Sequence, residues 1–324
     1  MLPTPARGTS RDMERLSQLS AIPDHARGAS VAIGNFDGVH LGHQSVIDLA
    51  RRPGMPLGVM TFEPHPRSYF SALKGAAARP FRLMNADAKA HRLEKLGVEF
   101  TYEIPFDAAL AALSPEAFVE NILASGLGAR HLVVGEDFCF GQGRAGTAND
   151  LKALAASHGI ETTIATMVAT SDTEVSSTNI RAALAEGRPR DAQKMLGHWH
   201  RIEGPVIHGD ARGRELGYPT ANMSLGDLHQ PAYGVYAVLV DVLDGAHAGT
   251  YHGAASIGVR PMFGENAANC ETFIFDFKGD LYGATLSVGL VDYLRGEEKF
   301  DGLDALIKQM DADCAQARAI LSEL

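Results

Sequence analysis

Along the first half of the chain, short continuous apolar runs alternate with stretches of helical spacing. Residues 31–36 read as a buried strand, 42–52 as a helix ended by Pro53 and Gly54, and 57–62 as a second strand stopped by Pro64 and Pro66. The rhythm continues with a helix over 86–96, a strand over 100–104, a helix over 115–124, a strand over 131–134, a helix over 149–157 and a strand over 160–168. Strands and helices alternating across short joints predict an α/β domain whose parallel sheet is covered by helices.

Past Gly197 the period changes. Residues 236–242, 253–257, 272–277 and 286–293 look like successive strands with no helix between them, so an antiparallel sheet or small barrel is expected. One amphipathic helix closes the chain. Its Leu303, Leu306, Ile307, Met310, Cys314, Ala317 and Leu321 lie three or four apart on one face, expected to pack on the barrel. The joint is expected near 187–197, giving an N-terminal extension (1–26), a first domain (27–190) and a second (198–324).

Charge narrows the partners. Lys and Arg number 29 against 39 Asp and Glu, a formal net charge of −10, which disfavours a generic nucleic-acid binder but leaves room for a few fixed donors around a small anion. Cys139, Cys270 and Cys314 are far apart with no CxxC pair, which argues against a disulfide framework or a Cys-rich zinc site and suits a reducing compartment. No apolar run approaches the ~18–20 residues of a membrane span, and the first 26 residues hold no apolar secretory segment. A cytoplasmic protein with small-molecule partners is expected, without nucleic acid or membrane; the pattern sets no oligomeric state.

The strongest local signal is Gly34-Asn35-Phe36-Asp37-Gly38-Val39-His40-Leu41-Gly42-His43, running from the end of the first strand into the first helix. Glycines let backbone approach a ligand, and the helix start offers amides and a positive dipole end. His40 and His43 then sit where an anion would bind, as donors without permanent charge. A zinc reading of this pair needs a third ligand, and none is evident nearby. A second signal is Ser176-Ser177-Thr178-Asn179-Ile180-Arg181, where hydroxyls can cap a helix and Arg181 is expected in its first turn, a place the dipole disfavours unless an anion is shared. Phe62-Glu63-Pro64-His65-Pro66 gives a stiff loop with a ring for stacking. Asp137 and Phe138, in the stretch 135–141, are a strand end of similar kind. Gly141-Gln142-Gly143-Arg144-Ala145-Gly146 matches GxGxxG, but the next strand ends Met167-Val168-Ala169 without the acid a dinucleotide ribose needs, so it reads as a decoy.

In the second half, Gly209, Gly213 and Gly217 with Arg212 and Arg214 form a loop whose amides could wrap phosphates. Thr220 and Asn222 offer the hard oxygens that Mg²⁺ accepts beside nucleotide phosphates. Glu271 shares a strand face with Phe273, Phe275 and Phe277 by period two, either paired structurally or poised as a general base.

Several of these motifs, in this order, resemble the bacterial bifunctional riboflavin kinase/FMN adenylyltransferase family, also called FAD synthetase, from about Val31 to the end. The resemblance implies a nucleotidyltransferase-type Rossmann-like sheet, then a riboflavin-kinase-type barrel and helix. In the first domain it implies ATP at Gly34, Asn35, Phe36, Asp37, Gly42, Ser177 and Thr178, flavin at Phe62, Pro64, His65, Pro66, Asp137 and Phe138, and catalysis by His40, His43 and Arg181. In the second it implies ATP at Gly209, Asp210, Gly213, Arg214, Gly217 and Pro219, Mg²⁺ at Thr220 and Asn222, Glu271 as base, and flavin at Arg295. The implied chemistry is phosphorylation of riboflavin to FMN by ATP, then adenylylation of FMN by a second ATP to FAD. Met262 stands where the family usually has Thr, so one alternative keeps the adenylyltransferase and makes the kinase half inactive or regulatory; another is a flavin-binding sensor without turnover.

Overall fold

The computed structural model describes residues 12–75, 80–166, 175–208, 217–259 and 268–324. Packing divides the chain into two compact units, one of residues 1–78 and 89–172, the other of 79–88 and 173–324. The division falls earlier than the 187–197 joint expected from the period change. Helices Ser177–Ala185 and Pro189–Leu196 go with the second unit. The Leu184 carbonyl accepts the Ala232 amide (2.9 Å) and Arg190 pairs with Asp292 (2.8 Å), contacts the hydrophobic period does not encode.

In the first unit, strands β1 (Glu14–Leu16), β2 (Ser30–Ile33), β3 (Leu57–Glu63), β4 (Phe100–Pro105) and β5 (His131–Gly135) precede a small ribbon, β6 (Cys139–Phe140) and β7 (Gly146–Thr147), and then β8 (Glu161–Ala165). The main sheet is wholly parallel, in the order β1-β4-β3-β2-β5-β8. The chain thus leaves β2 through β3 to one side and returns to β5 on the other, which makes the carboxyl ends of β2 and β5 the switch point where open α/β sheets bind ligands. Val31, Ile33, Met60, Tyr102, Leu132 and Val134 fill the core beneath. The stretch read as a bare N-terminal extension supplies the edge strand β1, fixed to β4 by Arg15 and Glu103 (2.9 Å). Three residues are too short a strand to show in a hydrophobic period.

Pro66 does not merely stop a strand. It opens helix Pro66–Leu73, where a proline is tolerated because the first helical amide has no intrahelical acceptor. The GxGxxG match lies between the antiparallel β6 and β7, not between a strand and its helix, so its glycines serve a tight connection.

The second unit is an antiparallel sheet of β9 (His200–Pro205), β10 (Thr220–Ser224), β11 (Gly234–Val242), β12 (Gly249–Val259), β13 (Ala268–Ile274) and β14 (Thr285–Arg295), in the order β10-β13-β12-β11-β14-β9. A bridge between Ile207, just past β9, and Asn222 of β10 brings the two edges together into a small barrel. Ile202, Met223, Tyr236, Val238, Ile257, Cys270 and Val288 fill its interior. The closing helix Leu303–Leu321 packs Ala317 and Leu321 against Ala237, Ala254, Phe275 and Val291 on the outside of the sheet. Its first turn does not join that face, since Leu303 is 54% exposed.

His200 is buried at the start of β9, and its Nε2 has no hydrogen-bond partner among the described residues. Burial first, then the neighbouring His229 and His198, push its pKa down from 6.5 to about 3. Between those values the unfolded chain binds a proton that the folded one refuses, so stability falls as pH drops below 6.5, by up to roughly 1.4 kcal/mol per pH unit. Trp199, the only tryptophan, reports this unit. Its fluorescence should show a lower urea midpoint at pH 5 than at pH 7, and His200→Phe should shrink the difference. An undiminished difference in the variant would contradict the assignment.

Candidate active sites

The loop after β2 is built around two left-handed residues. Phe36 (φ 49°) and the β-branched Val39 (φ 41°) flank Gly38 (φ 89°), and such a conformation in a β-branched residue is a local strain that the surroundings must hold. Phe36 and Val39 are buried as anchors, the Val39 amide donates to the Phe36 carbonyl (3.1 Å), and the Gln44 side-chain amide donates to the Val39 carbonyl (2.9 Å). The outcome is to deliver His40 to the N-cap of helix Leu41–Leu49, where its Nδ1 accepts the His43 amide (3.2 Å).

That cap stacks the imidazoles face to face, with centroids 3.6 Å apart and planes 14° from parallel, while Phe36 tilts against His43 at 5.2 Å. Burial, the neighbouring His40 and the ammonium of Lys89 together hold the His43 pKa well below its ordinary value. Its Nδ1 is buried with no hydrogen-bond partner among the described residues. Two imidazoles at a helix start, His43 biased toward its neutral form, with Gly42 in the first turn, suit a phosphate group. Gly34, Asn35 and Asp37 line the same turn, Asn35 exposed and Asp37 buried.

Two further loops leave the same carboxyl edge of the sheet. After β3, a cis Glu63–Pro64 bond leads to His65, whose Nδ1 accepts the Arg67 amide (3.0 Å) and caps helix Pro66–Leu73. Phe62 meets Phe106 edge-on at 5.9 Å, and Tyr69 and Phe70 add to this aromatic cluster. After β5, Asp137 is exposed and Phe138 stacks on Phe140 at 5.8 Å. The sheet therefore gathers the loops of residues 34–43, 62–66 and 135–138 at one edge.

Arg181, Ser177 and Thr178 fall in the second unit. Ser176 is the N-cap, accepting the Asn179 amide (3.2 Å), so the helix begins at Ser177 and Arg181 is its fifth residue rather than part of the first turn. The Arg181 Nε donates to the Phe81 carbonyl (2.6 Å), and its guanidinium lies 5.6 Å from the Phe81 ring centroid. The dipole argument for a shared anion at Arg181 therefore loses its premise.

In the barrel, β10 and β13 are antiparallel with Asn222 directly opposite Glu271 and Thr220 opposite Phe273. Directly opposed residues share a face. Met223 and Cys270 point into the core, which leaves Thr220, Asn222, Glu271 and Phe273 together on the other side. The Asn222 Nδ2 donates to the Thr220 carbonyl (3.3 Å), and the Asn269 amide donates to Glu271 Oε1 (3.1 Å). The set combines a hydroxyl, an amide oxygen and a carboxylate, all hard oxygens of the kind Mg²⁺ takes alongside phosphate and water, so these residues fit that ion. The expected company of Glu271 is only partly present. The strand ends at Ile274 and Asp276 turns left-handed (φ 57°), which breaks the alternation and sends Phe277 to the barrel-core cluster.

Gly217 (φ 84°) and Pro219 lead into β10, while Gly209, Asp210, Gly213, Arg214 and Met262 lie outside the described residues. Arg295 gives its Nε (3.0 Å) and Nη2 (2.8 Å) to the buried Asp313 of the closing helix and its Nη1 to the Gly296 carbonyl (3.0 Å). The same helix holds the approach to β10 through a hydrogen bond from the Tyr218 hydroxyl to Asp311.

A family model for FAD synthetase matches residues 22–179, and one for riboflavin kinase matches residues 196–321. The bifunctional riboflavin kinase/FMN adenylyltransferase of Pseudomonas fluorescens is 40% identical over 303 residues, covering 92% of this chain and 94% of that one. The enzyme of the same description from Listeria monocytogenes is 38% identical, covering 91% and 93%. The chain belongs to this bifunctional riboflavin kinase/FMN adenylyltransferase family. A crystal structure described as a macrolide-efflux protein from Streptococcus pneumoniae is also similar, with TM-score 0.77, 33% identity and 94% and 97% coverage. The word efflux belongs to that protein; among the described residues of this chain, no helix is long and apolar enough to cross a membrane.

Sequence reasoning missed Lys89, Phe106 and Asp313. Lys89 precedes the buried Leu93 by one helical repeat, which places a lysine on an inward face and was the available signal. For Asp313, one residue before Cys314 in the closing helix, no periodicity distinguishes a buried acid from a solvated one.

The stacked pair makes a direct prediction. Followed by NMR, the His43 ring proton should titrate with a midpoint well below 6.5 in the free protein; a midpoint at or above that value would contradict the buried stack.

Proposed function

We propose that the chain makes FAD in two steps at two sites, the barrel converting riboflavin and ATP to FMN and ADP, and the parallel-sheet unit converting FMN and ATP to FAD and pyrophosphate. The observation that supports the reading is that each unit holds a distinct set of polar side chains of a kind suited to phosphate chemistry. One is an imidazole pair at a helix start, and the other is an oxygen-donor set beside a carboxylate.

In the first unit, an oxygen of the FMN phosphate attacks the α-phosphorus of ATP, and the bond from that phosphorus to the bridging oxygen breaks as pyrophosphate leaves. The nucleophile is already ionised, so no protein base is needed. The work reduces to alignment and to donors for charge moving onto phosphate oxygens. His40, His43 and the amides around Gly42 take that role, with Gly34, Asn35, Phe36 and Asp37 around the nucleotide and Phe62, Pro64, His65, Pro66, Asp137 and Phe138 toward the flavin. Ser177, Thr178 and Arg181 enter through the family resemblance alone.

In the second unit, Glu271 accepts the proton of the riboflavin hydroxyl as its oxygen attacks the γ-phosphorus, and ADP departs. Thr220 and Asn222 would hold Mg²⁺, which supplies neutralisation of phosphate charge. Gly209, Asp210, Gly213, Arg214, Gly217 and Pro219 are assigned to ATP, and Arg295, oriented by Asp313, to the flavin. A reducing, cytoplasmic setting fits the free thiols Cys139, Cys270 and Cys314.

Flavin chromatography after incubation with ATP and Mg²⁺ tests both sites. His43→Ala should cut FAD formation by about 10²-fold or more while FMN accumulates from riboflavin. Equal loss of both products would count against separate sites. Glu271→Gln should cut FMN formation by about 10²-fold or more yet leave adenylylation of supplied FMN intact. Retained kinase turnover would remove Glu271 from the role of base.

A further inference from the structure

Lys89 is a lysine almost without solvent, its side chain 3% exposed, in helix Ala86–Lys95. Its ammonium donates to Thr61 Oγ1 (2.9 Å) and to the Asn35 carbonyl (3.3 Å), and pairs with Glu63 Oε1 (2.9 Å). The Thr61 hydroxyl in turn donates to the same Asn35 carbonyl (3.2 Å). Three groups therefore converge on one cation. One is a backbone carbonyl in the loop that delivers His40 and His43. The other two are side chains at the end of β3, where the Pro64-His65-Pro66 loop departs.

Burying an ammonium is costly, and a buried ion pair is by itself weak evidence of stabilisation, because apolar replacements often do as well. What an apolar residue could not do here is satisfy a carbonyl, a hydroxyl and a carboxylate at once. We propose that Lys89 is a positioning residue for adenylyl transfer, fixing the histidine loop and the Glu63–Pro66 loop relative to one another through Asn35, Thr61 and Glu63. The inference rests on the assignment of adenylyl transfer to this unit. Its charge also adds to the burial that keeps the His43 imidazole neutral.

The test uses the full chain, with its kinase activity as an internal measure of folding. Lys89→Met combined with Glu63→Gln removes both charges of this pair, so Glu63 is not left as a carboxylate without its lysine. The double variant should keep wild-type kinase turnover, lose at least tenfold in kcat for adenylylation of supplied FMN, and show a raised His43 titration midpoint. Thr61→Val, which leaves the ion pair in place, should lose about fivefold in the same kcat with the His43 midpoint unchanged; it decides the matter if the double variant fails to fold. Adenylylation kcat within twofold of wild type in a folded double variant, or in Thr61→Val, would overturn the proposal. Absence of FAD formation from FMN by the wild-type protein would instead overturn the assignment of the unit.

Discussion

The hydrogen bond from the His43 amide to His40 Nδ1 is the constraint on which the first site depends (3.2 Å). Because that nitrogen accepts, the neutral ring carries its proton on Nε2, and the two imidazoles are held face to face at 3.6 Å. Charge on both rings at that distance would repel, and burial weighs further against it at His43. The pair therefore offers ring donors beside a positive helix end. Such a pair suits the proposed chemistry, in which a phosphate is aligned and relieved of charge and acid–base work is left to other groups. The left-handed Phe36 and Val39 are the backbone cost of bringing the strand end and the helix start into this arrangement.

The barrel solves a different problem. A hydroxyl nucleophile needs a proton acceptor, the role proposed for Glu271, and cross-strand pairing places that carboxylate opposite Asn222, on a face turned away from the apolar interior. The closing helix steadies this face from two directions, through Asp311 on Tyr218 and Asp313 on Arg295. Its C-terminal half, with Ala317 and Leu321, provides the apolar anchor. The amphipathic pattern that reads as simple packing thus carries polar ties at Asp311 and Asp313 as well.

The sequence showed the alternation of the first half and the strand succession of the second, because both are written in hydrophobic period. It showed the loop at 34–43 because glycine and histidine at a strand–helix junction have few structural uses. Elements with little apolar period were lost: the three-residue β1, the proline-led helix Pro66–Leu73, and β9 and β10, whose burial alternates with polar residues. The position of Arg181 was misjudged by a cap, since choosing Ser176 rather than a later hydroxyl moves the helix start and with it the dipole argument. Lys89 was hidden because its partners, Asn35, Thr61 and Glu63, come from other segments and meet only in the fold.

The central proposal is that two distinct sites on one chain act in sequence, with FMN released by one able to serve the other. Mixing two full-length variants, one with His43→Ala and one with Glu271→Gln, and supplying riboflavin, ATP and Mg²⁺, tests it most directly. The account predicts that the mixture forms FAD although neither variant alone does so at an appreciable rate. A mixture that yields no more FAD than its components would contradict it.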